Sequence, residues 1–221
     1  MTLGRGMGRS ALMIMTTGQA SEKINVSPNT FKKLIAAGLL PDVRTRGNRT
    51  VVPAGDVMAL ARRDDAGLPH LGLPELPVLR VGAAKPADDG ERDERDWVGY
   101  RTDLTPQSKL AALRGWWRCD PERVARAGAL AVTVGPYVVA LLTDLRVDAG
   151  RGPRYRFSAH LAGHVLDLVT PVQVLTPGAP GTEVARLLLG RRLESESGGP
   201  IAYASPPQEA PAETGRRCTA R

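Results

Sequence analysis

Apolar residues spaced three and four positions apart indicate a helix soon after the start of the chain. Ser27 is a favoured N-cap residue, and Gly38 is typical of a helix end. These signals predict a helix over Pro28–Ala37. Its apolar face is formed by Phe31, Leu34 and Ile35, and its outward face by Asn29, Thr30, Lys32 and Lys33.

Further elements on either side complete an N-terminal unit. Thr17 can cap a short helix over Gly18–Ile24, and a third helix is predicted over Val57–Arg63. Between the second and third helices, β-favouring runs at 43–46 and 49–52 flank a Gly-Asn pair, which is a hairpin signal. The polar side chains of this hairpin are Arg44, Arg46, Asn48 and Arg49.

Charge is distributed unevenly along the 221 residues. Residues 1–63 carry ten Lys or Arg against three Asp or Glu, residues 64–103 carry five against ten, and residues 104–221 carry fifteen against ten. The basic excess is therefore concentrated in a small N-terminal unit with an acidic segment behind it. This pattern suits a nucleic-acid-binding head on a spacer, although a coding bias toward arginine would also raise the basic count.

The acidic segment at 64–103 is predicted to be a flexible linker. It contains four prolines and a charged run over 88–96, which cannot bury enough apolar surface to become ordered. The expected organisation is a disordered N-terminus at 1–14, a basic unit at 15–63, the linker at 64–103, a second unit at 104–204 and a disordered tail at 205–221.

The second unit combines short helices with apolar runs that are typical of strands. Thr105 and Asp120 are favoured caps for helices that end at Leu113 and Ala127. The chain is thus predicted to have an α+β fold with a β-rich second domain. The predicted strands are Ala129–Val134, Tyr137–Leu145, Arg154–Phe157 and Pro171–Leu175, with a further helix at Glu183–Leu189.

The N-terminal signals resemble the excisionase and MerR-type winged helix-turn-helix family in spacing as well as in residue type. The first helix departs from the family at Ser21-Glu22-Lys23-Ile24, where the family often has a second alanine and a leucine. The matching pieces are Thr16-Thr17-Gly18-Gln19-Ala20, Val26-Ser27-Pro28-Asn29-Thr30-Phe31, Leu34-Ile35-Ala36-Ala37-Gly38-Leu39-Leu40-Pro41, the basic hairpin and Val52-Pro53-Ala54-Gly55-Asp56-Val57.

This resemblance implies that the second helix enters the major groove of double-stranded DNA and that the hairpin is a wing on the adjacent backbone or minor groove. One such unit makes few phosphate contacts, so we expect a homo-oligomer or tandem binding on DNA. The alternative is a three-helix unit that contacts proteins. The DNA-binding residues implied are Ser27, Asn29, Thr30, Lys32, Lys33, Arg44, Arg46, Asn48 and Arg49.

The second unit is similar to PUA-like and ASCH-like β-barrel modules in the order of Arg-Gly-Trp-Trp-Arg, Arg-Tyr-Arg-Phe, Gly-Arg-Arg-Leu and Pro-Ile-Ala-Tyr. The loop expected at Ser158–Leu168 does not fit that pattern. The resemblance implies a pocket for a nucleotide, a modified base or another small group. The alternative is that the tryptophan pair simply packs in the core. The candidate pocket residues are Trp116, Trp117, Arg118, Arg154 and Arg156.

We expect no metal, cofactor or catalytic site. His160 and His164 would share one face of a helix, but no third ligand accompanies them. The carboxylates of the second unit form no acid pair with a partner base. The longest apolar run is shorter than a membrane span, so a non-membrane protein is expected. The short apolar patch near the start does not fit a signal peptide, which favours a cytoplasmic protein. Without a catalytic motif, the protein is not expected to be an enzyme.

The sequence therefore predicts a sequence-preferring DNA-binding protein, with transcriptional regulation as the leading hypothesis. Three alternatives remain at this point. The first is an excisionase-like architectural factor that bends DNA for recombination. The second is a reader of modified nucleic acid in a defence system. The third is an interaction protein with no nucleic-acid role.

Overall fold

The structure is a computed structural model that describes residues 13–71, 75–88, 95–195 and 199–205. Its fold is mixed α+β, with an N-terminal helix-turn-helix and a nearly closed, barrel-like sheet. The charged run at 89–94 and the terminal segments 1–12 and 206–221, which were predicted to be disordered, lie outside the described residues.

The N-terminal unit contains three helices and a small antiparallel sheet with the strand order β1-β3-β2. Its first strand was not predicted. That strand begins at Ile14, one residue inside the segment expected to be disordered. The elements are β1 (Ile14–Thr16), α1 (Thr17–Lys23), α2 (Pro28–Ala36), β2 (Arg44–Arg46), β3 (Arg49–Pro53) and α3 (Ala54–Ala61).

Local capping explains where these helices begin and end. Thr16, rather than Thr17, caps α1, because its side chain and Gln19 form a reciprocal capping box. The Ser27 hydroxyl accepts a hydrogen bond of 3.1 Å from the Thr30 backbone N–H at the start of α2. After α2, Gly38 has φ +74°, the left-handed conformation expected of a helix-ending glycine.

The remaining elements form a second unit around a seven-stranded sheet, which we call the sheet unit. Its main path is β11-β10-β9-β8-β4-β12, with β7 paired beside β10, and β4 and β8 are parallel. The elements are β4 (Leu76–Val81), β5 (Lys85–Pro86), β6 (Trp97–Val98), α4 (Pro106–Leu113), β7 (Trp117–Arg118), α5 (Pro121–Ala127), β8 (Ala129–Val134), β9 (Tyr137–Arg151), β10 (Arg154–Val165), β11 (Gln173–Leu175), α6 (Thr182–Leu188) and β12 (Ile201–Ala204).

The prediction of a flexible linker over 64–103 is wrong for its described part. β4 lies inside that range, between β8 and β12, and Val78 and Leu79 are fully buried. A strand buried on both faces lacks the alternation that identifies a half-exposed strand. Pro77, one of the four prolines of that range, does not prevent the strand, because it lies just before the parallel pairing with β8 begins at Val78, where its missing N–H costs little.

The loop expected at Ser158–Leu168 is also largely a strand. β10 continues through Val165, and its pairing with β9 is interrupted by three register shifts. Because such irregularities disrupt the two-residue period, the sequence pattern did not reveal this strand. The other predicted helices and strands of this unit are present. Their boundaries differ by at most two residues, except that β9 extends six residues beyond the predicted end at Leu145.

The N-terminal unit packs directly on the sheet unit, and a single hydrophobic core continues through both. Tyr137 of β9 is fully buried, and its hydroxyl donates a hydrogen bond of 3.2 Å to the Leu60 carbonyl of α3. The Arg63 guanidinium donates to the carbonyl oxygens of Leu168 and Val169 at 2.9 and 2.7 Å. A DNA-binding head on a tether is therefore not what the structure shows.

Candidate nucleic-acid interface

The outward face of α2 is accessible to solvent. Phe31 and Leu34 point into the core and are fully buried, which places Asn29, Lys32 and Lys33 on the exposed side of the helix. Thr30 is the exception among the predicted contacts of this helix. It is half-buried, because it faces the turn between β8 and β9.

The β2–β3 hairpin presents its arginines on one side. Arg46 pairs with Arg49 across the hairpin, and Arg44 lies two residues before Arg46, so the three side chains share one face of the ribbon. All three are exposed, as is Asn48 in the turn, where Gly47 adopts φ +59°. A two-residue turn with this conformation is favoured between twisted strands.

We call the exposed polar side chains of α2 and the arginines of the hairpin, taken together, the basic surface. It comprises the exposed residues of α2 and the arginine face of the hairpin. The sequences 27–36 and 43–53 contain no Asp or Glu, so no carboxylate from either element reduces its positive potential. The basic surface consists of Asn29, Lys32, Lys33, Arg44, Arg46 and Arg49.

The start of α2 borders the basic surface. Ser27 is exposed, and its hydroxyl lies 2.9 Å from the Thr30 hydroxyl in addition to capping the helix. The first N–H groups of a helix and its dipole favour an anion at this end. Eight of the nine predicted DNA-binding residues are therefore exposed in the structure, and Thr30 is partly covered by the sheet unit.

The predicted nucleotide pocket corresponds to a cavity of about 470 Å³ on the sheet unit. Trp116, Trp117, Arg118 and Arg154 all line it, because β7 pairs with the beginning of β10. Arg156 is not part of the lining. Its guanidinium lies over the Trp116 ring at 5.2 Å and bonds to a carboxylate on β9.

The tryptophans of this pocket are held by contacts within the protein. The Arg151 guanidinium lies 4.5 Å from the centre of the Trp116 ring, which is 7% exposed. The Trp117 indole N–H donates a hydrogen bond of 2.7 Å to the Leu113 carbonyl. A base could stack on Trp116 only by displacing guanidinium groups, so the stacking role stays a prediction.

His160 and His164 lie on β10 rather than on a helix, which corrects the geometry expected from their spacing. His164 is buried, and burial, followed by the charge of Lys109, lowers its pKa to about 4. Burial raises the pKa of the half-buried Cys119 thiol to about 11. Within the described ranges, no group of three or more His, Cys, Asp or Glu side chains could hold a metal ion.

Arg80 lies next to the basic surface, although it belongs to the segment interpreted from the sequence as a linker. In the structure, β4 brings Arg80 beside the exposed side of α2, where it lines a cleft together with Lys33. Only the parallel pairing of β4 with β8 creates this proximity. A local sequence signal could not have identified it.

Comparison with protein families supports the N-terminal assignment. Residues 14–65 match a family described as a helix-turn-helix domain. Searches among curated proteins and among solved structures found no match to the chain. The protein therefore carries an N-terminal helix-turn-helix. None of the helices in the described segments is long and apolar enough to cross a membrane.

Proposed function

We propose that this protein binds double-stranded DNA with sequence preference and regulates transcription. In this proposal α2 is the recognition helix, which enters the major groove, and the β2–β3 hairpin is a wing. The observation that supports it most directly is the basic surface, because α2 and the hairpin of a helix-turn-helix both present exposed cations, α2 also presents an amide, and neither element contains a carboxylate.

The two parts of the basic surface have different chemical roles in this proposal. An α-helix fits the major groove, where Asn29 can pair with adenine and Lys32 with guanine. The guanidinium groups of Arg44, Arg46 and Arg49 bind phosphates or a narrow minor groove. The recognition helix therefore supplies sequence preference, and the wing supplies affinity that decreases with salt.

In this role the protein acts by binding rather than by catalysis and needs no cofactor. The basic surface of one chain provides five cationic side chains, which give limited affinity at physiological salt. We therefore infer that two or more copies bind neighbouring half-sites. In that arrangement the spacing of the half-sites would match the separation of the recognition helices.

Selection of genomic fragments by the full-length protein tests this proposal. We expect an enriched motif, which Asn29→Ala should change or relax at one position, since a bidentate base contact contributes about 1–3 kcal/mol of discrimination. The triple variant Arg44→Ala, Arg46→Ala, Arg49→Ala should keep the motif but bind more weakly. Its slope of log affinity against log salt should be smaller by about 0.9 for each phosphate that the variant no longer binds.

The matched control is Arg146→Ala, which removes one exposed arginine from β9, outside the basic surface. This variant should retain both the motif and the salt dependence. The proposal is wrong if the full-length protein enriches no motif, or if its retention on DNA is the same before and after the triple substitution. That second outcome would favour a protein-interaction role for the N-terminal unit.

A further inference from the structure

A cleft of about 420 Å³ separates the recognition helix from the sheet unit. Thr30 and Lys33 line it on the helix side, and Arg80 and Gly82 line it at the end of β4. The turn between β8 and β9 contributes Gly135. The cleft therefore lies along one flank of the recognition helix, next to the basic surface.

We propose that this cleft binds a phosphate of the DNA backbone beside the groove that the recognition helix enters. The inference rests on the proposed function and extends it, because it assigns part of the DNA contact to the sheet unit. Its central observation is the juxtaposition of Lys33 and Arg80, contributed by two different units, in a single glycine-lined cleft.

The charge of the cleft fits an anion. Lys33 and Arg80 are the ionisable side chains among its described lining residues, and both are cations. Gly82, Gly135 and Gly199 leave part of the wall without side chains, so that a phosphate oxygen can approach the backbone closely.

Arg80 is oriented for this role by its own contacts. Its Nη2 donates a hydrogen bond of 2.6 Å to the Gly199 carbonyl, and its backbone N–H donates to the Pro200 carbonyl at 2.8 Å. Its Nε is buried without a hydrogen-bond partner among the described residues. The contact with Gly199 holds the guanidinium in the wall of the cleft, where its Nη groups can donate to a phosphate oxygen.

The dimensions of DNA explain why a phosphate would reach the cleft. The major groove is about 12 Å wide and a helix with its side chains is about 10–12 Å across, so a sugar-phosphate strand passes along each flank of an inserted helix. On the Thr30 flank, the β8–β9 turn and the end of β4 already lie beside the recognition helix. The strand on that flank would therefore pass the mouth of the cleft.

Gly82 offers a test that does not remove an existing contact. A Cβ built there has Lys33 Cδ at 4.0 Å as its nearest neighbour, and the residue does not have a positive φ. Both alanine and aspartate should therefore fit. Gly82→Asp places a carboxylate in the cleft, whereas Gly82→Ala adds a Cβ at the same position without charge and is the matched control.

The measurement is fluorescence anisotropy of the full-length variants with the duplex that the wild-type protein selects, between about 0.05 and 0.3 M salt, where the Debye length is on the order of 10 Å. We expect Gly82→Asp to weaken binding roughly tenfold or more at the low-salt end and to reduce the salt slope by the equivalent of about one to two phosphates. Gly82→Ala should bind within about twofold of wild type. The base preferences should be unchanged, because a phosphate contact carries no sequence information.

A second variant, Arg80→Gln, covers the case in which Gly82→Asp lowers the melting temperature. It should reduce the salt slope by about 0.9, the value for a single phosphate. Wild-type binding by both Gly82→Asp and Arg80→Gln would overturn the inference and leave the proposed function intact. A changed motif in either variant would also overturn it.

Inorganic phosphate distinguishes a free anion from the DNA backbone as the occupant of the cleft. If it raises the melting temperature of the wild-type protein but not that of Gly82→Asp, while DNA binding is equal, the cleft binds a free phosphate and the DNA-backbone assignment is wrong. If the wild-type protein shows no salt-dependent DNA binding, the proposed function itself fails.

Discussion

The contact between Thr30 and Gly135 limits how closely α2 approaches the sheet. Gly135 has φ +59°, and a Cβ built on it would lie 2.7 Å from Thr30 Cγ2. We predict that Gly135→Ala lowers the free energy of unfolding by about 1–2 kcal/mol for the left-handed conformation, plus about 1–3 kcal/mol for overpacking. Urea unfolding measures the sum.

Gly152 provides the control for that prediction. It has a similar φ of +56°, but a Cβ there meets nothing within 4 Å. Gly152→Ala should therefore show only the conformational cost. Adding Thr30→Ala to Gly135→Ala should recover part of the overpacking cost, because it removes Cγ2. Equal losses for Gly135→Ala and Gly152→Ala would mean that the contact between the two units is not tight.

His164 should make stability depend on pH. Burial lowers its pKa to about 4, whereas an unfolded histidine titrates near 6.5. As the pH falls below about 6.5, the unfolded chain therefore binds a proton that the folded chain does not. The contribution of His164 to the free energy of unfolding is therefore complete above about pH 6.5 and is lost progressively down to about pH 4. Between pH 7.5 and 5 the free energy of unfolding should fall by about 2 kcal/mol.

Urea unfolding at several pH values in that range measures this dependence. His164→Gln should flatten it, because glutamine does not titrate. The control is His160→Gln, which replaces an exposed histidine on the same strand and should leave the dependence in place. A slope that survives His164→Gln would assign the pH dependence to other groups.

At the scale of elements, the sequence predicts a helix or hairpin correctly where a cap, an apolar face and a turn lie within a few residues of one another. Ser27, the Phe31–Leu34 pair and Gly38 together located α2 to within one residue of its observed end. The hairpin was equally predictable from the sequence, since its Gly-Asn turn and β-favouring arms are adjacent in the chain. The exposure of most predicted DNA-binding residues follows from these local elements.

β4 shows what the local signals could not reveal. Its neighbours along the chain are prolines and acidic residues, so composition suggested a linker. Its burial depends on β8, whose first residue lies 48 positions after the last residue of β4, and on β12, which lies further still. The Arg80 side of the cleft was missed for the same reason, because only this long-range pairing places Arg80 beside Lys33.

At the scale of the whole molecule, contacts between the N-terminal unit and the sheet unit contribute to the stability of both. Backbone groups cross the boundary, since the Thr102 N–H donates to the Ala37 carbonyl at 3.0 Å and the Leu168 N–H donates to the Leu39 carbonyl at 2.9 Å. Leu39 and Leu60 are fully buried in the shared core. The sheet unit therefore stabilises the helix-turn-helix in addition to lying beside it.

A truncated chain tests whether the N-terminal unit is stable without the sheet unit. We predict that residues 13–66 alone are much less stable than the full chain, because removal of the sheet exposes apolar surface at about 25 cal/mol per Å² and leaves Arg63 without its carbonyl acceptors. Thermal unfolding followed by circular dichroism, with the full chain measured under identical conditions, gives the comparison.

Two point variants of the full chain test the same boundary without truncation. Arg63→Ala should cost about 1.5–3 kcal/mol, since a charged donor then no longer bonds to the Leu168 and Val169 carbonyls. Tyr137→Phe removes the hydroxyl that donates to the Leu60 carbonyl and accepts from Arg192, and it should cost about 1 kcal/mol. If residues 13–66 melt cooperatively at the temperature of the full chain and select the same DNA motif, the helix-turn-helix is autonomous. The sheet unit would then not be needed for its stability, and the salt slopes of Gly82→Asp and Arg80→Gln would still decide whether the sheet unit contacts a phosphate.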